Sequence, residues 1–414
     1  MTRISSQYNN NNTQKSLRQQ EINSARIQNQ IGTQNRIESL RDDPIAAGHL
    51  VRYQSYLSRV NQFEKNAQTL ADQFQVREGY INQNLQIMQR VRELAVNGAN
   101  GINTTDDLKN MAGEVDELLK EIIQNANAVG PDGNTLFAGT QTKGIAFDVH
   151  MGNVEGADHA LITKVTYNGN NGINNIEVDE NEYLSIDNSG ARTFWAEPQI
   201  LSGMRNLSSW QAGQDSVISV DGHDIAVKRG DNVYALAARI NDSGAAVKAG
   251  IDPVSGGLKI ATTDARQLWL EDRNGNVLEE IGLIKDSSQK PPYNLGESVR
   301  LSGGSLFDAV ISLRDALLAG DSEAVGGRVL GTLDQGMANL TARLAQNGSS
   351  YERAQNNIMR SSKNEVNVTA LVSREGDVDI TKAITDMKMM DYVNQATLSN
   401  AGKMYNSTLL DYMR

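Results

Sequence analysis

Seven residues spaced by seven constrain this chain before anything else does: Tyr53, Val60, Ala67, Phe74, Ile81, Met88 and Ala95. Tyr56, Phe63, Leu70 and Val91 fill the companion positions three residues on, with Arg77 and Asn84 as polar breaks. Such spacing keeps one apolar seam on a helix and is the pattern of a coiled coil. Asp43 and Pro44 supply the start, an N-cap carboxylate followed by a residue whose missing N–H costs nothing at the first helical position. Gly98 and Gly101 supply the stop. A helix from Pro44 to Asn97 would run about 80 Å at 1.5 Å per residue, so an elongated molecule is expected.

A second helix is predicted after Thr104, with Leu108, Met111, Val115, Leu118, Ile122, Ala126 and Val129 in steps of three and four. Thr104 and Asp107 fit a capping box with Asp in place of Glu. The turn residues Gly130-Pro131-Asp132-Gly133 predict its end, and the short link makes the two helices antiparallel neighbours. From about Gly139 to Gly304 the periodicity gives way to Gly, Asn, Asp and short β-branched runs. Ala160 to Tyr167, Asn175 to Val178 and Tyr183 to Ile186 read as strands. A ββαβββ pattern follows: Val217 to Val220, an Asp221-Gly222 hairpin turn, Ile225 to Val227, a helix over Asn232 to Ile240, then strands at Val247 to Ile251, Leu258 to Ala261 and Leu268 to Glu271. Helical character returns at Leu306 and runs through Leu330, Leu333, Met337, Leu340, Leu344 and Tyr351. A last helix from about Asp379 carries Ile380, Ile384, Met387, Leu398, Ala401 and Tyr405. Because the β-rich stretch is an insertion, the helices on either side of it should pair with each other.

Composition narrows the chemistry. The chain has 414 residues, 39 Lys plus Arg against 50 Asp plus Glu, and a net charge of -11. That balance argues against nucleic acid or anionic membrane as a partner. Zero cysteines remove disulfides, thiol nucleophiles and thiolate metal sites together. No apolar run approaches the roughly 20 residues that span a bilayer, and the polar, Asn-rich first 30 residues lack a signal-peptide core. His49, His150, His159 and His223 show no metal-binding spacing. Acid pairs such as Asp42-Asp43 and Asp106-Asp107 are explained by helix N-termini, where carboxylates oppose the dipole. Gly303-Gly304 and Gly326-Gly327 lack the phosphate-loop pattern and read as turns and flexible joints. No catalytic, cofactor-binding or metal residue is expected, and the chain reads as no enzyme.

Five segments in order carry a family resemblance. Arg36-Ile37-Glu38-Ser39-Leu40-Arg41-Asp42-Asp43-Pro44-Ile45-Ala46-Ala47 is similar to the opening of the long helix in the flagellin superfamily. Gln89 to Val96 with Asn103-Thr104-Thr105 resembles its helix end and turn, and Gly133-Asn134-Thr135-Leu136-Phe137-Ala138-Gly139-Thr140 its second-helix closure. Asp377 to Thr385 and Ser407-Thr408-Leu409-Leu410-Asp411-Tyr412 resemble the C-terminal pattern. The likeness covers roughly residues 1–140 and 305–414. Asp42 to Ala47, the Leu-Phe-Ala-Gly-Thr segment and the Leu-Leu-Asp-Tyr ending are more similar to the hook-filament junction branch, hook-associated protein 3, than to filament flagellin.

The resemblance implies a mainly α-helical coiled-coil stalk from paired N- and C-terminal segments with an inserted β-rich (α+β) outer region. Its parts would be an assembly segment, 1–42, disordered in the monomer; the N-terminal half of the helical rod, 43–139; the insert, 140–304, with a small α+β unit at about 205–285; the C-terminal half of the rod, 305–365; and a C-terminal assembly helix, 366–414. It implies a secreted structural subunit of the bacterial flagellum, exported by the flagellar type III apparatus, that joins hook to filament and templates flagellin assembly. Partners would be further copies in a ring, a hook-side junction protein, flagellin and an export chaperone. Arg3, Ile4, Leu17, Ile27, Ile31, Ile380, Ile384, Met387, Leu398, Leu409 and Leu410 are the expected assembly residues. Two other readings stay open: flagellin proper, and a secreted hydrolase or adhesin within the insert.

Overall fold

The structure, a computed structural model, describes residues 2–39, 41–141, 143–286 and 289–410, without the side chains of residues 2–7, 9–10 and 403–410. Its helices are α1 (Thr2–Thr33), α2 (Pro44–Gly98), α3 (Thr105–Ala126), α4 (Gly190–Thr193), α5 (Val233–Asp242), α6 (Val277–Glu280), α7 (Leu306–Ala319), α8 (Ser322–Ala324), α9 (Leu330–Gly376) and α10 (Ile380–Leu410). Its strands are β1 (Phe147–Gly152), β2 (Leu161–Tyr167), β3 (Ile173–Asp179), β4 (Glu182–Asp187), β5 (Ile200–Gly203), β6 (Ser216–Val220), β7 (His223–Val227), β8 (Val247–Ile251), β9 (Leu258–Thr262), β10 (Leu270–Asn274) and β11 (Val299–Ser302). The expectation of a mainly helical chain with a β-rich insert holds. The chain divides into two compact units, residues 66–356 and a smaller one of residues 1–65 with 357–414.

In the 66–356 unit the seam of α2 is sealed: Ala67, Leu70, Phe74, Ile81, Met88, Val91 and Ala95 are all buried. Here α2 runs antiparallel to α3, with Arg90 on Glu114 at 2.7 Å and Gln83 on Glu121 at 3.3 Å. It runs antiparallel to α9 as well, where Asn347 Nδ2 donates to the Phe74 carbonyl at 2.8 Å and Arg92 meets Asp334 at 2.6 Å. The polar breaks are themselves buried. Asn84 receives a bond from Asn125 of α3 at 3.2 Å, and Arg77 donates to the Asp187 carbonyl beyond β4 while its guanidinium sits 5.7 Å from the Phe137 ring. These are docking points, one for the neighbouring helix and one for the insert.

The second helix keeps the predicted capping box, Thr104 Oγ1 accepting from Asp107 N at 3.2 Å and Thr104 N donating back at 3.1 Å. It stops at Ala126, before the Gly130-Pro131 turn that the sequence named. The reason is Asn127, whose side chain exchanges two bonds with the backbone of Phe147, at 2.8 and 2.9 Å, and so ties the helix end to β1. Phe147 then meets Phe194, Phe307 and Tyr167 at ring separations of 4.9 to 5.4 Å, and Phe137 meets Phe194 at 5.0 Å. Four of the chain's six phenylalanines thus sit in one core between helices and insert.

Within the insert, β1 pairs with β2 and β3 with β4, each antiparallel. The ββαβββ elements all appear, divided between two sheets, β10-β6-β7 and β11-β5-β9-β8. The sequence reading passed over β1, β5 and β11, and β5 and β11 are the strands that widen the second sheet. Asp221 and Gly222 both take positive φ, 50° and 83°, as a two-residue type I′ hairpin requires. The helical stretch after Leu306 is broken where the sequence showed continuity: Gly320 takes a left-handed conformation that ends α7, and a π turn over Val325–Val329 leads into α9. Gly326, read from sequence as a flexible joint, lies in that π turn, where a Cβ would stand 3.1 Å from Ala99 Cβ.

Arg314 of α7 is completely buried and bonds Asp116 of α3 at 2.8 Å. Removing one partner of such a pair strands a charge, whereas replacing both is tolerated. Arg314→Met, which leaves Asp116 answered only by Lys120 at 2.9 Å, is therefore expected to destabilise this unit by about 2 kcal/mol, and Asp116→Leu/Arg314→Met to recover most of that loss. Urea unfolding followed by tryptophan fluorescence reads it, since all three tryptophans, Trp195, Trp210 and Trp269, lie in this unit; equal stabilities for the single variant and the parent would contradict the assignment.

Candidate assembly interface

The smaller unit is where the two ends of the chain meet. Helix α1 packs along α10, with Gln20 Nε2 on Thr397 Oγ1 at 3.2 Å. The two run antiparallel, because the residues just after α1 pair with those just before α10. Asn35 and Asp377 form an isolated antiparallel bridge, Arg36 N donates to the Gly376 carbonyl at 2.7 Å, and Val378 N donates to the Gln34 carbonyl at 3.0 Å. Gln34 adopts a positive φ of 58° to turn the chain out of α1.

Arg36 ties this crossing together. Its Nη2 and Nε donate to the Glu375 carbonyl at 2.8 and 3.2 Å, satisfying an orphan acceptor at the end of α9. Its Nη1 reaches Asp43 at 3.4 Å, the residue whose other carboxylate oxygen caps α2 by accepting from Ala46 N at 3.1 Å. One guanidinium therefore bonds the end of α9 and the start of α2. The bond from Ala46 N, with help from Arg36, holds the Asp43 carboxyl below its usual value, and bonds from Ser39 and Glu38 do the same for Asp42. At the head of α10, Asp379 caps the first turn by accepting from Lys382 N at 3.0 Å.

Many apolar side chains in this unit are uncovered. Among the described residues seven hydrophobic side chains are buried: Ile27, Ala46, Ala47, Val60, Phe63, Val368 and Ala383. Twelve large ones are exposed, including Tyr8 and Ile22 on α1 and six on α10. Of the predicted assembly residues, Leu17, Ile27 and Ile31 lie on the covered stripe of α1, with Ile27 buried and the others half-buried. Ile380, Ile384 and Leu398 are exposed on α10 and Met387 is half-buried. The side chains of Arg3, Ile4, Leu409 and Leu410 lie outside the described residues.

Helix α10 carries a second apolar group that the sequence reading did not single out. Met389, Tyr392 and Val393 are 62%, 76% and 39% exposed, and their i, i+3, i+4 spacing puts them together on one face. The spacing was visible in the sequence; it was missed because the stripe traced from Ile380 follows another face. A helix apolar on more than one side needs more than one neighbour. Among the described residues no group of His, Cys, Asp and Glu could hold a metal ion, and no helix is long and apolar enough to cross a membrane.

The chain is similar in sequence to known proteins. Residues 4–142 match the family described as bacterial flagellin N-terminal helical region. Flagellin A of Vibrio anguillarum is 24% identical over 384 residues, covering 91% of this chain and 90% of the relative. Flagellin FlaB1 of Treponema pallidum is 33% identical over 104 residues, 25% of this chain and 36% of that protein. These matches support a place in the flagellin superfamily. Among solved structures, flagellar hook associated protein-3 from Legionella pneumophila aligns over 78% of this chain and 97% of its own length, at 12% identity and a TM-score of 0.47. A putative flagellar hook-associated protein from Vibrio parahaemolyticus aligns over 81% and 100%, at 16% identity and 0.43.

The crossing of the ends is open to direct test. Arg36→Met should speed amide hydrogen exchange at Arg36's own position and at Val378 by roughly tenfold, as expected when a charge-assisted bond worth about 1.5 kcal/mol is lost; unchanged exchange would deny the clamp its role. The acid caps add a pH dependence. A carboxyl whose folded pKa is depressed contributes stability above its unfolded value, 3.8 for Asp42 and Asp43, and loses it as pH falls through the lower folded value. Exchange at Ala46 should therefore be insensitive to the cap's titration above pH 5 and accelerate below pH 3.8, beyond the intrinsic trend, with Asp43→Asn abolishing the acid limb.

Proposed function

We propose that this protein is a structural subunit of the bacterial flagellum, placed at the junction between hook and filament, where it adapts one helical lattice to another and templates flagellin assembly. The observation that carries the reading is the small unit made of both chain ends, which exposes more large apolar side chains than it buries. Monomeric proteins rarely leave such surfaces open without a partner. The family match over residues 4–142, and relatives named as flagellins that align along nine-tenths of their length, support a flagellar setting. The motifs at Asp42 to Ala47 and at the C-terminus are what favour the junction branch.

On this reading residues 1–42 and 366–414 order fully when neighbouring subunits cover Met389, Tyr392 and Val393 on one side of α10 and Ile380, Ile384 and Leu398 on another. Those contacts are heterologous, each copy offering different faces to its neighbours in a ring. The hook-side junction protein would be contacted on one side and flagellin on the other. Export through the flagellar type III apparatus, with a chaperone covering α10 before secretion, belongs to the same proposal. The part boundaries at 42, 139, 304 and 365 belong to it also.

Flagellin itself is the second reading, favoured by the aligned relatives, which are flagellins. The two separate cleanly in a strain lacking this gene. A junction subunit predicts intact hooks without filaments and flagellin shed into the medium, whereas a filament protein predicts no shed flagellin and purified protein that polymerises alone. Complementation with a chain ending at Asp379 should fail to restore filaments, and so should Met389→Glu/Tyr392→Glu, although both remain soluble; normal filaments from either would refute the interface.

A further inference from the structure

The 66–356 unit holds a cleft of about 240 Å³ that its packing does not explain. Its walls come from α2, α4, the β3–β4 hairpin and α9, and four arginines line it: Arg77, Arg192, Arg266 and Arg343. Three carboxylates answer them, Asp187, Asp221 and Asp264. One positive charge is left over.

The excess can be located. Arg266 is engaged by Asp221 and Asp264 together, and Arg343 donates to the Arg192 carbonyl at 3.2 Å, to Gln346 at 3.2 Å and to Asp264 at 3.1 Å. Arg192 is paired through Nη1 with Asp187 at 2.8 Å, and Arg77 is held only by the Asp187 carbonyl, yet each keeps a free group. They are only 6% and 8% exposed, and the buried Nε–H of each has no acceptor. Burial pushes the Arg77 guanidinium down to about 10 against the upward pull of Asp187, as befits a cation whose charge is incompletely answered. In the same lining Asn347 Oδ1 is a buried acceptor with no donor, its Nδ2 being committed to the Phe74 carbonyl. Charged donors left unmet in the interior are costly, so native proteins meet them.

We infer that this cleft binds a small oxyanion, received by the free Nε–H groups of Arg77 and Arg192, with Asn347 Oδ1 accepting from a hydroxyl of the ligand. The guanidinium fork matches the oxygens of phosphate and carboxylate in a way an ammonium does not. The volume falls below the roughly 300 Å³ at which pockets for drug-sized ligands begin, and a water occupies about 30 Å³, so the cleft suits a phosphate-sized anion with a few waters. Because its walls come from the long helices and from the insert, the anion bonds both to one charge. The Asn347 acceptor distinguishes hydrogenphosphate, which carries a hydroxyl, from sulfate, which does not.

The test uses the full chain, with inorganic phosphate, sulfate and malonate titrated separately at ionic strength held constant with sodium chloride. Calorimetry and thermal unfolding should both show a saturable effect at millimolar concentration or below, strongest for phosphate; a saturable effect strongest for malonate keeps the oxyanion and identifies it as a carboxylate. Arg77→Lys, which retains the charge and loses the fork, should weaken binding at least tenfold. Asn347→Leu should bring phosphate and sulfate to equal affinity. Sulfate and phosphate stabilise many proteins by exclusion from the surface, without saturation. A rise in unfolding temperature that never saturates, or that Arg77→Lys shares in full, would overturn the site; so would absence of binding heat in the parent chain.

Discussion

Everything in the larger unit is arranged around the burial of one seam on α2. An apolar stripe that repeats every seven residues must be covered along its length, and between Ala67 and Ala95 it is, with no seam residue left in solvent. The same stripe continues toward Tyr53, where Val51 is exposed and Tyr53 and Tyr56 are only half-buried. The repeat itself does not change across this stretch. What changes is the number of elements available to cover it: α3, α7 and the aromatic core serve one end, and the other has segments of the chain termini. Uneven covering of an even pattern leaves apolar surface open at the terminal end of the stripe.

Polar residues inside the seam set the register. A purely apolar heptad surface tolerates sliding by one repeat, whereas Asn84 opposite Asn125, Asn347 on the Phe74 carbonyl and Arg77 on the Asp187 carbonyl each admit one alignment. Arg314 and Asp116 do the same for α7 on α3. Such groups add little net stability compared with apolar replacements. Their contribution is to make misaligned pairings leave buried charges and amides unmet.

Long periodic helices and the capping residues were legible in the sequence because their causes are local: Thr104 with Asp107 lie three residues apart, and Asp221-Gly222 specifies its own turn. Features set by distant residues were not. Helix α3 ends at Asn127 because of Phe147, twenty positions on, and β5 and β11 are strands because β5 borders β9 and β11 borders β5. The breaks at Arg77 and Asn84 could be seen, but their burial could not, since the partners come from the insert and from α3. For the candidate interface, the stripe from Ile380 was readable, while the Met389, Tyr392 and Val393 group became distinct only once Ala383 was found facing α1. A single helix shows where its apolar residues are; which face is left over depends on the partner.

Charge completes the case for which surfaces can associate. The chain as a whole carries -11, so copies repel wherever acidic surfaces approach. Helix α1 nonetheless holds four basic residues and one acidic one, and α10 three basic and two acidic. The two terminal helices are therefore net positive, and the acidic excess lies in the rest of the molecule. Repulsion is screened beyond about 8 Å at physiological ionic strength, so acidic surface farther than that from an apolar contact opposes it only weakly. The two ends of the chain thus combine exposed apolar area with a charge opposite in sign to that of the rest of the molecule.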